Sequence, residues 1–171
     1  MTVSFRTSFI AILSVFTAGL PGIAKAQQLS CDSLQHIVNI VSGDSALSSL
    51  KGTVAAEGKD GDDKMYFSLT SLWTQLDDVR GEYIAYDKVR KGYSYHAYIY
   101  NYSSPATELA ATIKFFKDCL GGGWISRAVY GKSGDTVTYF KNPANNVVIT
   151  IEKLKERVLI ECYNDKPKKA P

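Results

Sequence analysis

Between Met65 and Tyr163, apolar side chains recur at every second position in seven short runs, residues 65–69, 82–87, 93–102, 124–130, 136–140, 146–152 and 157–163. A strand points successive side chains to opposite faces, so such runs, broken by Gly, Asn, Pro or charged turns, predict β-strands with one buried side. Val147, Ile149 and Ile151 share one parity in the sixth run, and Val158, Ile160 and Cys162 share one in the seventh. One apolar face and one wet face is the signature of an antiparallel sheet, because parallel strands are buried on both sides.

Two segments break this period. Across residues 32–50, Leu34, Ile37, Val38 and Val41 recur at helical spacing, with Asp32 or Ser33 placed to cap the start and Gly52 to end it. In the second, Ser104 precedes Pro105, and Leu109, Ile113, Phe116 and Leu120 follow on one stripe before Gly121-Gly122-Gly123. Proline costs nothing at a first helical position, and glycine suits the position after a last one. The order helix, strands, helix, strands predicts an α+β fold. The halves also end alike, Ala97-Tyr98-Ile99-Tyr100-Asn101 matching Ile160-Glu161-Cys162-Tyr163-Asn164 in apolar parity. The expectation is two tandem helix-plus-antiparallel-strand units of roughly 60 to 70 residues, forming one antiparallel sheet with both helices on one face. Neither half is large enough to bury a comfortable core alone, and no linker separates them, so residues 27–165 should form a single domain.

Residues 1–26 carry one charge at Arg6, an apolar run from Phe9 to Leu20, a Pro21-Gly22 break and Ala24-Lys25-Ala26. This is the layout of a cleaved signal peptide, which predicts export to a periplasm or to the outside and a mature chain starting at Gln27. A membrane span is not expected, because the run is interrupted well short of roughly 20 apolar residues. The formal charge of +3 comes from 20 basic and 17 acidic residues. Removing Arg6 and Lys25 leaves 18 against 17, and setting aside Lys166, Lys168 and Lys169 in the apolar-free, disordered basic tail 166–171 leaves 15 against 17. A slightly acidic domain lacks the cationic field that nucleic-acid binding needs, so no nucleic-acid partner is expected.

An exported chain can keep disulfides, and it has three cysteines, Cys31, Cys119 and Cys162. If the helices are antiparallel, the start of the first lies by the end of the second, which favours Cys31 with Cys119 and leaves Cys162 as a buried thiol. The alternative is a lipidated Cys31, as in a lipoprotein, with Cys119 and Cys162 as the pair.

The signal segment, Leu50-Lys51-Gly52, the tyrosine-rich strand, Cys119-Leu120, Trp124 and the two closing amphipathic strands together resemble a group of small exported bacterial α+β proteins of unassigned function. The layout is also similar to tandem helix-plus-sheet inhibitor domains and to secretion-chaperone folds. These similarities imply an architecture and no activity.

Five of the eleven tyrosines crowd into residues 93–102. Alternation assigns Tyr93, Tyr95, Ala97 and Ile99 to the core and places Ser94, His96, Tyr98, Tyr100 and Tyr102 on the other face. A row of tyrosines offers large contact area, few rotors and polar tips, so His96, Tyr98, Tyr100 and Tyr102 are the candidate surface for a protein or glycan ligand. The bland reading is that tyrosine favours strands and pairs with itself across them. Asp60, Asp62 and Asp63 around Gly61 match no calcium loop and read as a solvated turn, as does Asp77-Asp78. His36 and His96 lack partners at zinc-ligand spacing, so no metal is expected, and no cofactor fingerprint occurs. Glu82, Glu108, Glu152 and Glu161 are available carboxylates without a recommended acid–base pair. The sequence thus points to a small exported binding protein without enzymatic activity. A secreted hydrolase with an unrecognised acid–base site, or an inhibitor or immunity-type protein, is the alternative.

Overall fold

The computed structural model describes residues 29–44, 46–57, 64–72, 80–100, 105–130 and 135–165. The signal segment, the Asp60–Asp63 turn, Asp77-Asp78, Tyr102, the Ser104 cap and the tail 166–171 lie outside the described residues. Helix α1 spans Cys31–Gly43 and helix α2 spans Pro105–Leu120. The strands are β1 Lys51–Glu57, β2 Lys64–Ser68, β3 Arg80–Asp87, β4 Gly92–Tyr100, β5 Ile125–Tyr130, β6 Thr136–Lys141, β7 Val147–Lys153 and β8 Arg157–Asn164.

The expected stripe Leu34, Ile37, Val38 and Val41 is the buried face of α1. Its cap is Ser30, whose side chain accepts the Ser33 N–H at 3.2 Å, two residues before the expected Asp32 and three before Ser33. The helix also stops early. The Asp44 carboxylate accepts the N–H groups of Ala46 at 2.8 Å and Ser48 at 2.7 Å, and Leu47 takes a left-handed φ of 51°. The chain turns there into a short 3-10 segment, Ser48–Leu50, and then into β1. Helix α2 matches the expected span and ends at Gly121, whose φ of 72° suits a residue without a Cβ.

All eight strands form one antiparallel sheet in the order β1-β2-β3-β4-β8-β7-β6-β5. The fold is therefore α+β with an antiparallel sheet, but its division into two tandem helix-strand units needs correction. β4 and β8 pair continuously from Tyr95↔Cys162 to Tyr100↔Arg157, so the sheet has no seam between the halves. Helix α1 packs on β7 and β8 rather than on the strands that follow it in sequence, and α2 packs on the same two strands. The molecule is mostly sheet, with one core under both helices. Ile149 and Ile151 of β7, Ile160 and Cys162 of β8, Tyr95 and Ala97 of β4 and Phe116 of α2 are its fully buried centre.

Cys31 and Cys119 form a disulfide with their Cα atoms 5.4 Å apart, inside the span that such a bond requires. It ties the start of α1 to the end of α2, and Gln35 Nε2 donates to the Cys119 carbonyl at 3.1 Å beside it. Cys162 is a buried free thiol, and burial pushes its pKa far above the usual range.

Candidate functional site

The helices cover one face of the sheet, and among the described elements none packs on the other. This open face takes the alternate residues of each strand: Phe67 of β2, Tyr83 of β3, His96, Tyr98 and Tyr100 of β4, Arg157 and Glu161 of β8, Tyr139 of β6 and Arg127 of β5. The registers fix that order, with Phe67↔Tyr83, Tyr83↔His96, His96↔Glu161 and Tyr100↔Arg157 as direct neighbours.

Four rings run continuously across it. Centroid separations are 5.8 Å from Phe67 to Tyr83, 6.2 Å from Tyr83 to Tyr98 and 6.4 Å from Tyr98 to Tyr100. The Arg157 guanidinium lies 4.5 Å from the Tyr98 centroid and 5.8 Å from that of Tyr100, and it donates to the Tyr100 hydroxyl at 3.2 Å. Gly81, opposite Tyr98 on β3, makes room for this row. A Cβ there would come within 2.9 Å of three Tyr83 side-chain atoms. Burial raises the Tyr98 pKa above the ordinary phenol value, so its hydroxyl stays a donor at neutral pH.

His96 and Tyr98, although on one strand face, play different parts. His96 Nε2 lies 2.8 Å from Ser94 Oγ and 3.7 Å from Glu161 Oε1, and only 19% of its side-chain surface is exposed. Glu161 in turn accepts a two-pronged bond from Arg90, at 2.6 and 3.1 Å. Arg90 also pairs with Asp87 at 2.9 Å and stacks 3.7 Å from the Tyr163 centroid. Burial pushes the Tyr163 pKa up to about 12.

Ser94, His96 and Glu161 superficially suggest an activated serine. That chemistry needs the carboxylate on the ring nitrogen opposite the one facing the hydroxyl. Here the hydroxyl and the carboxylate share Nε2, Glu161 is already neutralised by Arg90, and Ser94 is 1% exposed. The cluster is a folded polar network that supports the aromatic row from beside it.

No family model, curated protein or solved structure matches this chain. Among the described residues, no cluster of three or more His, Cys, Asp or Glu is placed to hold a metal ion, and no helix is long and apolar enough to cross a membrane.

Two of the four carboxylates singled out in the sequence have defined partners: Glu161 is held by Arg90, and Glu82 lies on the opposite face. Glu82 faces the helices, accepting the Tyr95 hydroxyl and, at 2.6 Å, the Leu72 N–H. Tyr95, Ala97 and Ile99 are core residues as alternation requires, whereas Tyr93 is half-buried among Tyr66 and Tyr86 with the Lys51 ammonium 3.1 Å from its centroid. Sequence reasoning missed Tyr83, Phe67 and Arg157 as members of the open-face row, because they join Tyr98 through strand pairing. It also placed Glu161 on a wet face, although its side chain is only 13% exposed. The like parity of the two half-ends was a signal that β4 and β8 carry similar roles, but not that they are neighbours.

The polar network has a pH signature. Burial, aided by the Arg90 guanidinium, holds His96 below the ordinary imidazole pKa against the opposing pull of Glu161 and Asp87. The unfolded chain then binds this proton more readily than the folded chain, so stability falls as pH drops below about 6.5 and levels off beneath the depressed folded-state pKa. Thermal melts taken through this range should show a decline that His96→Gln makes shallower. Equal slopes in the two proteins would show that His96 does not carry it.

Proposed function

We propose that the protein is an exported binding protein, without enzymatic activity, that holds a protein or glycan ligand on the open face of its sheet. The observation that carries this reading is the continuous row Phe67, Tyr83, Tyr98 and Tyr100 with Arg157 stacked along it. Rings of this kind supply large apolar area with little rotamer entropy to lose, and their hydroxyls and the guanidinium supply direction. Phe67 leaves about half its surface in solvent, at 49%. Tyr98 and Tyr100 are the contact residues, and His96 positions the strand through Ser94 and Glu161. Tyr102 belongs to the proposed surface by its parity in the sequence alone. A signal segment over residues 1–26 and a disulfide that persists outside reducing compartments both favour export.

The test pairs Tyr98→Ser with Tyr100→Ser in one chain and measures retention on a panel of immobilised glycans and extracellular proteins. The wild type should be retained by one class, and the double variant should lose at least about tenfold in affinity, the scale of two lost aromatic contacts. An unchanged circular dichroism spectrum and an intact Cys31–Cys119 bond would show that folding is not the cause. Undiminished binding by the folded double variant would remove the aromatic row from the site.

A further inference from the structure

The two edges of the sheet are built differently. At one edge, the register of β1 against β2 shifts twice, between Lys51 and Val54 and between Val54 and Ala56, and Glu57 pairs with Lys64 at 2.8 Å. Irregular register and charge are the usual means of preventing another strand from adding to an edge. β5, at the other edge, has neither a break nor a proline. It pairs with β6 without interruption from Ile125↔Lys141 to Tyr130↔Thr136, and all six of its residues are exposed. Ile125 is 62% exposed and Tyr130 84%, with Val129 also on the surface. On its outer side, no strand among the described residues takes up the N–H and C=O groups that alternate residues of β5 present.

Arg127 is the single charge on this strand. Its guanidinium lies 5.9 Å from the Tyr139 centroid, and among the described residues no carboxylate pairs with it. Ile125, Arg127 and Val129 share the open face, and Ile125 and Arg127 border a concavity of about 370 Å³ walled by Tyr139, Lys141, Val148, Tyr163 and Asp165, whose carboxylate is paired with Lys141 at 2.9 Å. Ser126 and Ala128 on the opposite parity are small. A strand laid antiparallel along β5 would place one side chain directly opposite Arg127, with those two residues away on either side opposite Ile125 and Val129.

We propose that β5 is the receiving edge for an extended segment of a partner protein, with an acidic side chain opposite Arg127 and an apolar side chain two residues away on each side. Main-chain hydrogen bonds supply the affinity, and the Arg127 pair sets the register. A second copy of this chain fits less well. Antiparallel pairing of β5 with β5 about Arg127 sets the two guanidiniums against each other, and pairing about Ala128 sets each against Val129. Neither register gives Arg127 a counter-ion. This site lies at the far edge from the Tyr98–Tyr100 row, so its failure and the failure of the aromatic row are separately observable.

The experiment uses the mature chain and two synthetic nine-residue peptides, alike except for a central glutamate or lysine, with valine two places to either side. The glutamate peptide should bind, slow amide exchange along β5 and leave β1 unchanged. Arg127→Glu should weaken it by about threefold to tenfold and reverse the preference toward the lysine peptide, with Arg127→Gln between, as expected for one exposed cross-strand charge pair. Equal binding of both peptides, or unchanged β5 amides, would overturn the proposal. So would sedimentation showing β5 already occupied in a dimer, which would assign the edge to a second copy.

Discussion

Replacing Cys31 and Cys119 by serine lowers the unfolding free energy by about 4.5 kcal/mol, the chain-entropy cost for a long loop. The bond closes 88 residues of sequence separation, and the whole first meander lies inside that loop. Without it, the unfolded chain gains all the conformations in which the start of α1 and the end of α2 are apart. The native contacts between the helices are sparse by comparison, because each packs chiefly downward on β7 and β8. For a domain of this size the loss corresponds to a fall in melting temperature of about 15 °C. Scanning calorimetry with and without reductant checks it: the wild type should drop on reduction to the level of the double variant, and the variant should not respond. A wild type indifferent to reductant, or a Cys119–Cys162 bond in peptide mapping, would contradict the assignment. The latter is opposed by the position of Cys162, enclosed on β8 opposite Tyr95 on one side and Ile149 on the other.

This pairing was legible in the sequence because it depended on two helices that the 3.6 period declares unambiguously. Seven of the strands were legible as well from their period-two apolar pattern, although the expected single buried side fails at two of them: β5 exposes all six of its residues, and β7 is buried on both faces from Val147 to Ile151. β1 was not legible. Its residues Lys51-Gly52-Thr53-Val54-Ala55-Ala56-Glu57 lie at an edge with both faces largely wet, so no apolar parity marks them. The early stop of α1 was hidden for a related reason. Asp44 ends the helix by taking two N–H groups with its side chain, a local competition with the helix that apolar spacing does not record.

The order of strands in the sheet was the larger gap. Parity tells which side of β4 faces the core, and it correctly separates Tyr95, Ala97 and Ile99 from His96, Tyr98 and Tyr100. It does not tell which strand lies beside β4. Because that neighbour is β8, Arg157 comes to lie along Tyr98 and Tyr100, and Glu161 comes to lie beside His96. The candidate surface therefore changes from a stripe of tyrosines on one strand to a patch across four strands, β2, β3, β4 and β8, stiffened at one end by an ion-paired network. That stiffening matters for binding, since a pre-ordered surface has less entropy left to lose when a ligand arrives.

The network is the source of the second large effect. Arg90 reaches from the turn after β3, where the Asp87 carboxylate accepts the Val89 and Arg90 N–H groups at 2.8 and 3.0 Å, across β4 to Glu161 on β8. Arg90→Met keeps much of the side-chain volume over Tyr163 but removes both bonds to Glu161. Breaking a fully buried pair costs more, but the Arg90 side chain is about one-third exposed and solvent screens part of the loss, which leaves about 2 kcal/mol. The same change has a spectroscopic signature that mere loss of packing would not produce. Arg90 helps hold the His96 pKa down, whereas Glu161 pulls it up, so removing Arg90 while keeping Glu161 moves the imidazole titration to higher pH. With His96 less depressed, the destabilisation on acidification below about pH 6.5 should shrink even though the protein is weaker at neutral pH. Denaturant titration and imidazole NMR on the same samples read both. A double variant, Arg90→Met with Glu161→Leu, should regain part of the neutral-pH loss, because no carboxylate is then left half-buried without its partner. If the double variant were as unstable as the sum of the single changes, the cost would lie in packing against Tyr163 and the ion pair would not be what joins the β3–β4 turn to β8.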